Sequence, residues 1–348
     1  MNRLNDILHI ARGNGYSDVH LGGKNYILMR NNGVLFSYEH NYSEDDIKDM
    51  IYGMLSQKQI DAFEKGKDID FVYVDNDERY RVNVYREMSH TCAALRVIYD
   101  RIRPLEELGL PSIMKSLTED ERGLVLVTGP TGSGKSTTLA AMINEINKLR
   151  PCHILTIEDP IEYVYQQQKA LIHQREVETD VESFDTALRS ALREDPDVIL
   201  VGEMRDYETI AAVITLAETG HLVFSTLHTI GAAKTIDRII DVFPPAKQEQ
   251  IRVQLAGVLN AVVTQQLIPT VDKQSRVPSL EIMVANSAIQ NLIRENKGHQ
   301  INSMIQTGAN QGMQSLNMSL SQLVRTGRIT RENAERYTND LAELRTMI

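Results

Sequence analysis

Cysteine is scarce in this chain of 348 residues, occurring only as Cys92 and Cys152. Two distant cysteines without a Cys-x-x-Cys pair favour neither a disulfide framework nor a structural zinc site. Long apolar runs are missing too, since no stretch approaches the roughly 18 residues that cross a bilayer and the N-terminus has no apolar signal core. We therefore expect a protein of the reducing cytosol that reaches a membrane only through a partner.

Positive charge is also in short supply. The 37 basic and 47 acidic residues give a formal net charge of -10, which repels a phosphate backbone and disfavours general nucleic-acid binding. Only a basic groove inside a ring would permit such binding. The composition, 42% hydrophobic and 24% charged, is otherwise typical of ordered globular proteins, and the length favours two folded units.

Residues 1–98 predict a small α+β domain. Apolar residues of the segment 4–11 recur at helical spacing, and short alternating runs typical of β-strands follow. A helical stretch from 43 to 65 separates two groups of these runs. Residues 99–106 are predicted to be a linker, because Pro104 excludes the helical conformation from the residue before it and donates no amide hydrogen bond.

Residues 107–284 predict an α/β core. Wholly apolar runs ending at Thr128, Ile157, Val201 and Thr226 alternate with helical segments, as in a parallel sheet covered on both faces. Residues 285–348 read as helices and predict a C-terminal helical bundle. The predicted fold class is therefore α/β, with a small α+β domain preceding the core.

One eight-residue run matches the phosphate-loop motif G-x-x-x-x-G-K-[ST], here called the phosphate loop: Gly129, Pro130, Thr131, Gly132, Ser133, Gly134, Lys135 and Ser136. It follows an apolar strand and precedes a helical segment that begins at Thr137. Glycines let successive N–H groups face phosphate oxygens, and the helix N-terminus adds the positive end of its dipole. Lys135 can reach the β- and γ-phosphates and Ser136 can ligate Mg²⁺. The sequence therefore predicts an ATP and Mg²⁺ site.

Carboxylates follow two of the predicted strands. Glu203 comes after Gly202 where an aspartate is usual, and we predict that it orients or deprotonates the attacking water. Glu158 is the first of three acids that follow the apolar run ending at Ile157, and we predict that it holds the water ligands of the metal. Together with Ser136, these two acids form the predicted metal set. Each of them could instead be a solvated acid or a turn cap.

Histidine and arginine complete the predicted site. His228 ends a buried strand at the same sheet edge and could hydrogen-bond a γ-phosphate, although a structural role is the alternative. Phosphoryl transfer also gains from a cation near the developing charge, often from a neighbouring subunit. The candidates are Arg81, Arg96, Arg189 and Arg193, of which the last two lie four apart on one predicted helix. Surface salt bridges are the alternative for all four.

These motifs resemble the secretion-ATPase superfamily, whose diagnostic stretch corresponds to residues 192–206. Within it, the chain is similar over nearly its whole length to the twitching-motility ATPases that retract type IV pili, including an acidic box at 158–162 and a histidine box at 220–228. Their C-terminal motif, Ala-Ile-Arg-Asn-Leu-Ile-Arg-Glu, matches residues 288–295 except at Gln290. The four-cysteine zinc insertion usual in extension and type II secretion relatives is missing.

The resemblance implies a homohexamer whose subunits have a PAS-like N-terminal domain and a RecA-like ATPase domain, with ATP bound between the two. It implies a cytoplasmic protein, peripheral at the inner face of the cytoplasmic membrane, that passes domain rotation to an inner-membrane platform protein of the pilus. The four arginines become candidate contacts to the γ-phosphate. Whether a paralogous ATPase assists stays open.

Three other functions remain as alternatives. A pilus-extension or type II secretion ATPase could have lost its insertion. A RecA-like DNA or RNA translocase shares the core, but the acidic charge and the Gly202-Glu203 strand ending disfavour it. A regulatory subunit that binds nucleotide without hydrolysis is disfavoured by the presence of Lys135, Ser136 and Glu203.

Overall fold

A computed structural model describes residues 3–23, 26–31, 33–76, 78–98 and 101–348 of the chain. The chain divides into two compact units, Met1–Arg101 and Ile102–Ile348. Residues 99 and 100 of the predicted linker lie outside the described residues. Each unit is built on its own β-sheet, and the predicted α/β fold class is confirmed.

The first unit is an antiparallel sheet with helices. Its elements are α1 (Arg3–Gly13), β1 (Asp18–Gly22), β2 (Tyr26–Asn31), β3 (Val34–Ser37), α2 (Glu44–Tyr52), α3 (Gln57–Glu64), β4 (Ile69–Asp75), β5 (Glu78–Glu87) and β6 (His90–Ile98). The strand order is β3-β2-β1-β6-β5-β4. One apolar cluster joins the stripe of α1 to residues of α2, α3 and the sheet, so this unit has a core of its own.

The predicted helical stretch from 43 to 65 is two helices. Ser43 caps α2 in a capping box with Asp46, and Ser56 caps α3 in the same way with Gln59. A second N-cap needs extended backbone at its own position, so the helix must stop before Ser56. The two S-x-x-D/Q patterns within this single predicted helical stretch thus mark the starts of two helices.

The second unit is larger. Its strands are β7 (Gly123–Thr128), β8 (His153–Glu158), β9 (Leu171–Glu176), β10 (Val198–Val201), β11 (Leu222–Leu227), β12 (Leu259–Pro269) and β13 (Arg276–Val284). Its helices are α4 (Ile113–Glu119), α5 (Lys135–Leu149), α6 (Phe184–Ala191), α7 (Tyr207–Glu218), α8 (Ala232–Asp241), α9 (Pro245–Val258), α10 (Ser287–Arg294), α11 (Ile301–Thr307), α12 (Leu316–Arg325), α13 (Arg331–Tyr337) and α14 (Leu341–Met347).

Seven strands form the second sheet, in the order β13-β12-β7-β11-β10-β8-β9. All neighbouring pairs are parallel except β12 with β13. The four strands predicted from apolar runs, β7, β8, β10 and β11, occupy the centre. Strands β9, β12 and β13 were not predicted. Two of them are edge strands, and the edge position of β13 explains how it accommodates Pro278, which donates no ladder hydrogen bond.

Helices cover both faces of this sheet. One apolar cluster packs α6 to α11 on one face, and another packs α4 and α5 on the opposite face. Every residue of β7 and of β11 is buried, as expected for strands with helices on both sides. The carboxyl ends of the parallel strands therefore open at one common edge between the two helical layers.

The C-terminal helices pack in two groups. Helices α10 and α11 join the apolar cluster of α8 and α9, whereas α12 to α14 form a small cluster with the distal ends of β12 and β13. The last two helices, α13 and α14, are separate because Thr338 is extended and Asp340 caps α14. In the part of the chain that the structure describes, no helix is long and apolar enough to span a membrane.

We expect Leu344→Ala to destabilise the small C-terminal cluster by about 2–5 kcal/mol, because Leu344 is fully buried in it and its truncation leaves a cavity. Hydrogen exchange of peptides from residues 316–348, followed by mass spectrometry, should become faster. Leu341→Ala on the same helix is the matched control, since Leu341 is 40% exposed and should change stability by about 0.5 kcal/mol or less. Equal exchange in the two variants would contradict the assignment of this cluster.

Candidate functional site

The phosphate loop joins β7 to α5. Gly129, Gly132 and Gly134 have φ values of 136°, 77° and 87°, which side-chain-bearing L residues rarely adopt. The turn places the N-terminus of α5 directly after Gly134, and the first amide N–H groups of a helix have no partner within it. The loop therefore has the backbone conformation and the positive helix end that an anion site needs.

Lys135 is buried at the start of α5. Its Nζ donates to the carbonyl oxygens of Gly129 at 2.9 Å and Pro130 at 3.1 Å. Burial lowers the pKa of Lys135, and the nearby charges of Glu162 and Glu203 partly oppose that shift. The structure thus places the loop lysine near the carboxylate that follows β10, and among the described residues its ammonium group donates to these two carbonyls alone.

Glu203 lies in the turn that follows β10. Its carboxylate pairs with Arg205 and lies 3.3 Å from Nε2 of His228, and its side chain is only 16% exposed. Thr226 fixes this turn from the neighbouring strand, donating from Oγ1 to the carbonyl of Gly202 at 2.7 Å. The structure therefore brings Glu203 and His228 together from adjacent parallel strands.

Glu158 ends β8 and is buried. Its carboxylate accepts from Oγ1 of Thr156 at 2.8 Å and contacts Nε2 of Gln174 at 3.5 Å. Burial raises the pKa of Glu158 to about 7, and these hydrogen bonds only partly oppose the shift. The amide of Gly202 donates to the carbonyl of Ile157 at 2.9 Å, so Glu158 lies beside the turn that bears Glu203.

The predicted metal set fits Mg²⁺ only as a loosely ligated ion. Ser136 supplies a hydroxyl at the start of α5, and Glu158 and Glu203 supply carboxylates, all hard oxygen ligands. Among the described residues, no group of three or more histidine, cysteine, aspartate or glutamate side chains could hold a metal by itself. Mg²⁺ usually binds to only a few protein ligands, and phosphate oxygens and waters complete its coordination shell.

The two arginines of the N-terminal unit are cross-strand neighbours. Arg81 of β5 is paired in register with Arg96 of β6, and Arg96 is paired with Asp18 of β1. Arg96 forms an ion pair with Asp18 at 3.0 Å and keeps 66% of its side chain exposed. Arg81 is exposed as well. Adjacent like charges are unfavourable on a sheet, so this pair would gain from an anion.

The other two arginines do not share a helix, and that part of the prediction is wrong. Arg189 lies on α6 and forms an ion pair with Asp185 at 2.9 Å, but α6 ends at Ala191. Arg193 lies in the turn beyond it, which Asp195 closes with a positive φ of 54°. Within the described ranges, the exposed guanidinium of Arg193 makes no ion pair or side-chain hydrogen bond.

Some polar residues of the site were missed from the sequence. Tyr163 hydroxyl lies 2.8 Å from Oγ1 of Thr137, and Oγ1 of Thr264 lies 2.9 Å from Oγ1 of Thr128 at the end of β7. Gln265 contacts the phosphate loop directly. The sequence does contain a sign of these polar residues on β12, because three polar residues, 264 to 266, lie between apolar residues of the same strand.

Comparison with known proteins gives consistent matches. Residues 65–347 match the family described as type II/IV secretion system protein. A twitching motility protein of Neisseria gonorrhoeae is 54% identical over 295 residues, which are 84% of this chain and 79% of that protein. The type IV pilus retraction ATPase PilT of Pseudomonas aeruginosa is 47% identical over 337 residues, covering 95% of this chain and 96% of that one. A crystal structure of the pilus retraction motor PilT with bound ADP matches with a TM-score of 0.89 and 43% identity, covering 98% and 99% of the two chains.

The raised pKa of Glu158 predicts a pH-dependent stability. The folded chain binds this proton more tightly than the unfolded chain, so stability should fall as the pH rises from about 4.5 to about 7 and then level off. The full loss is about 3 kcal/mol at most. Glu158→Gln should remove this component, which urea unfolding at pH 5 and pH 8 without nucleotide or Mg²⁺ would measure.

Glu249→Gln is the matched control for this measurement, because Glu249 is an exposed carboxylate on α9. It should keep the pH dependence of the unmodified chain. If Glu158→Gln and Glu249→Gln showed the same pH dependence, the burial of an ionisable Glu158 would be contradicted.

Proposed function

Because this chain belongs to the type II/IV secretion system protein family and is an ATPase of that family, we propose that it powers type IV pilus retraction by ATP hydrolysis. The observation that supports this most is the 47% identity to a pilus retraction ATPase across 95% of the chain. Residues 288–295 add to it, although Gln290 departs from the motif of the retraction enzymes.

ATP binds with its phosphates on the phosphate loop in this proposal. The loop amides and Lys135 hold the β- and γ-phosphates, and Thr137 contributes at the helix start. The carbonyl partners of the Lys135 ammonium support this, because a phosphate oxygen can take their place without a rearrangement of the backbone. Mg²⁺, when bound, would neutralise phosphate charge, with Ser136 as its protein ligand and Glu158 oriented toward its waters.

Glu203 orients the attacking water and accepts its proton. The contact with His228 supports that role, because the imidazole holds the direction of the carboxylate. In this proposal His228 also hydrogen-bonds the γ-phosphate. Arg205 forms an ion pair with the same carboxylate and so also helps to hold its direction.

The motor itself is a homohexamer in this proposal. Arg81, Arg96, Arg189 and Arg193 are the candidates that stabilise charge on the γ-phosphate, some of them in a neighbouring subunit. Arg81 and Arg193 are better suited than the other two, because their exposed guanidinium groups form no ion pair in the part of the chain that the structure covers. The assembly acts at the cytoplasmic face of the inner membrane through the pilus platform protein.

Glu203→Gln should retain ATP binding and lower the rate of ATP turnover by about 10²–10⁴-fold, because the amide keeps the shape but accepts no proton. Nucleotide binding by calorimetry and phosphate release with Mg²⁺ would measure the two effects. Glu208→Gln is the matched control, since Glu208 is exposed on the first turn of α7. Turnover in Glu203→Gln equal to that of this control would remove Glu203 from the mechanism.

Deletion of the gene should leave cells that carry pili but do not twitch, because pili would extend without being retracted. Counting pili by electron microscopy and measuring the spread of colonies on a surface would test this. Complementation with the unmodified gene should restore twitching, and complementation with the Glu203→Gln variant should not. Loss of all pili would instead indicate an extension ATPase, and strong stimulation of ATP turnover by single-stranded DNA would indicate a translocase.

A further inference from the structure

Strand β12 passes directly beneath the phosphate loop, and one of its side chains bonds to it. Gln265 is buried, and its Nε2 donates to the carbonyl of Ser133 at 2.7 Å. Its Oε1 accepts from Oγ1 of Thr138, in the first turn of α5, at 2.8 Å. A single amide therefore ties the loop to the helix that follows it.

The packing at this point is as close as glycine permits. A Cβ on Gly129 would lie 2.2 Å from the backbone oxygen of Gln265, and a Cβ on Gly134 would lie 2.8 Å from its Nε2. Gly129 is thus required by the backbone of β12 as well as by its own φ value, and Gly134 lies against the end of the Gln265 side chain. The loop and the strand are built against each other.

The side chain of a glutamine meets both requirements at this position. An amide of this length donates and accepts at the same time, whereas an ionised carboxylate only accepts and a methionine does neither usefully. Loss of the amide would leave a buried carbonyl on Ser133 and a buried hydroxyl on Thr138 without their partners. Because both groups belong to the segment that binds phosphate, the disturbance would occur at the nucleotide site.

Strand β12 is also held in place next to the phosphate loop by contacts on its opposite face. Thr264, the preceding residue, contacts Oγ1 of Thr128 at 2.9 Å and accepts from the amide of Gly231 at 3.2 Å. Neighbouring residues of a strand point to opposite faces, so Thr264 and Gln265 anchor it on both. Gln265 consequently has little freedom to follow a loop that moves.

We propose that Gln265 is a positioning residue for the phosphate loop, which holds the loop in the shape that binds the phosphates of ATP and ADP. It touches no reacting atom and acts through Ser133 and Thr138. The proposal rests on the ATPase activity of the family and not on pilus retraction. Since the loop contacts phosphate before and during the reaction, loss of Gln265 weakens binding more than it slows the chemical step.

Three single variants of the full chain test this in a graded series. Gln265→Met removes both hydrogen bonds, Thr138→Val removes one, and Gln266→Met makes the same change on the opposite face of β12. We expect the KM for ATP and the Kd for ADP to rise about tenfold in Gln265→Met and less in Thr138→Val. Gln266→Met should stay near the unmodified chain, and kcat should change by less than about threefold throughout.

A double variant separates positioning from general destabilisation. Thr138→Val should add little to the Kd for ADP in the Gln265→Met background, because the bond between the two side chains is already lost. Thermal unfolding without nucleotide provides the stability of each variant independently. Equal weakening of ADP binding in Gln265→Met and Gln266→Met, or fully additive effects of the double variant, would overturn the proposal.

The unmodified chain decides whether the premise holds. If it binds ADP and Gln265→Met binds equally well, the positioning role is wrong while the ATPase assignment stands. If the unmodified chain binds no ADP, the assignment itself fails. Should Gln265→Met not fold, Thr138→Val decides: an ADP affinity equal to that of Gln266→Met would overturn the proposal, and a weaker one would support it.

Discussion

The parallel register of the second sheet is the constraint on which the candidate site depends. Val201 is paired with Ile157 on one side and with Ser225 on the other, and Leu227 is paired with Thr128. These pairings end four strands at one edge of the sheet. The residues that follow the strands therefore lie close together in space, although they are far apart in the sequence. A slip of one residue would exchange the side chains of the two faces, and because both faces pack closely against helices, the exchange would leave cavities and clashes.

The charged groups at that edge of the sheet are buried and therefore poorly solvated. Lys135 is buried with carbonyl partners and two acids near it, while Glu158 is buried with hydroxyl and amide donors. Each group alone would be expensive to bury as an ion. Together they keep a cation and an acid close to where phosphate charge is expected, in surroundings where electrostatic interactions are stronger than in water.

The sequence allowed the centre of this arrangement to be predicted and its borders much less. Strands buried on both faces read as apolar runs, so β7, β8, β10 and β11 and the residues after them were identified. Arg193 was misplaced because the helix before it ends early, which a left-handed Asp195 followed by Pro196 permits but spacing alone does not reveal. Gln265 could not be identified as a site residue, because its function depends on a strand pairing between distant parts of the chain.

That distance along the chain bears on how the protein is made. The bonds that join β12 to the end of β7, to the phosphate loop and to its helix connect residues 127 to 136 positions apart. During synthesis the phosphate loop leaves the ribosome long before β12. A nascent chain that ends in the middle of the second unit therefore contains the motif without the strand that supports it. Nucleotide binding that depends on Gln265 begins only after β12 has been synthesised, so a truncated chain would bind ATP more weakly than a complete chain.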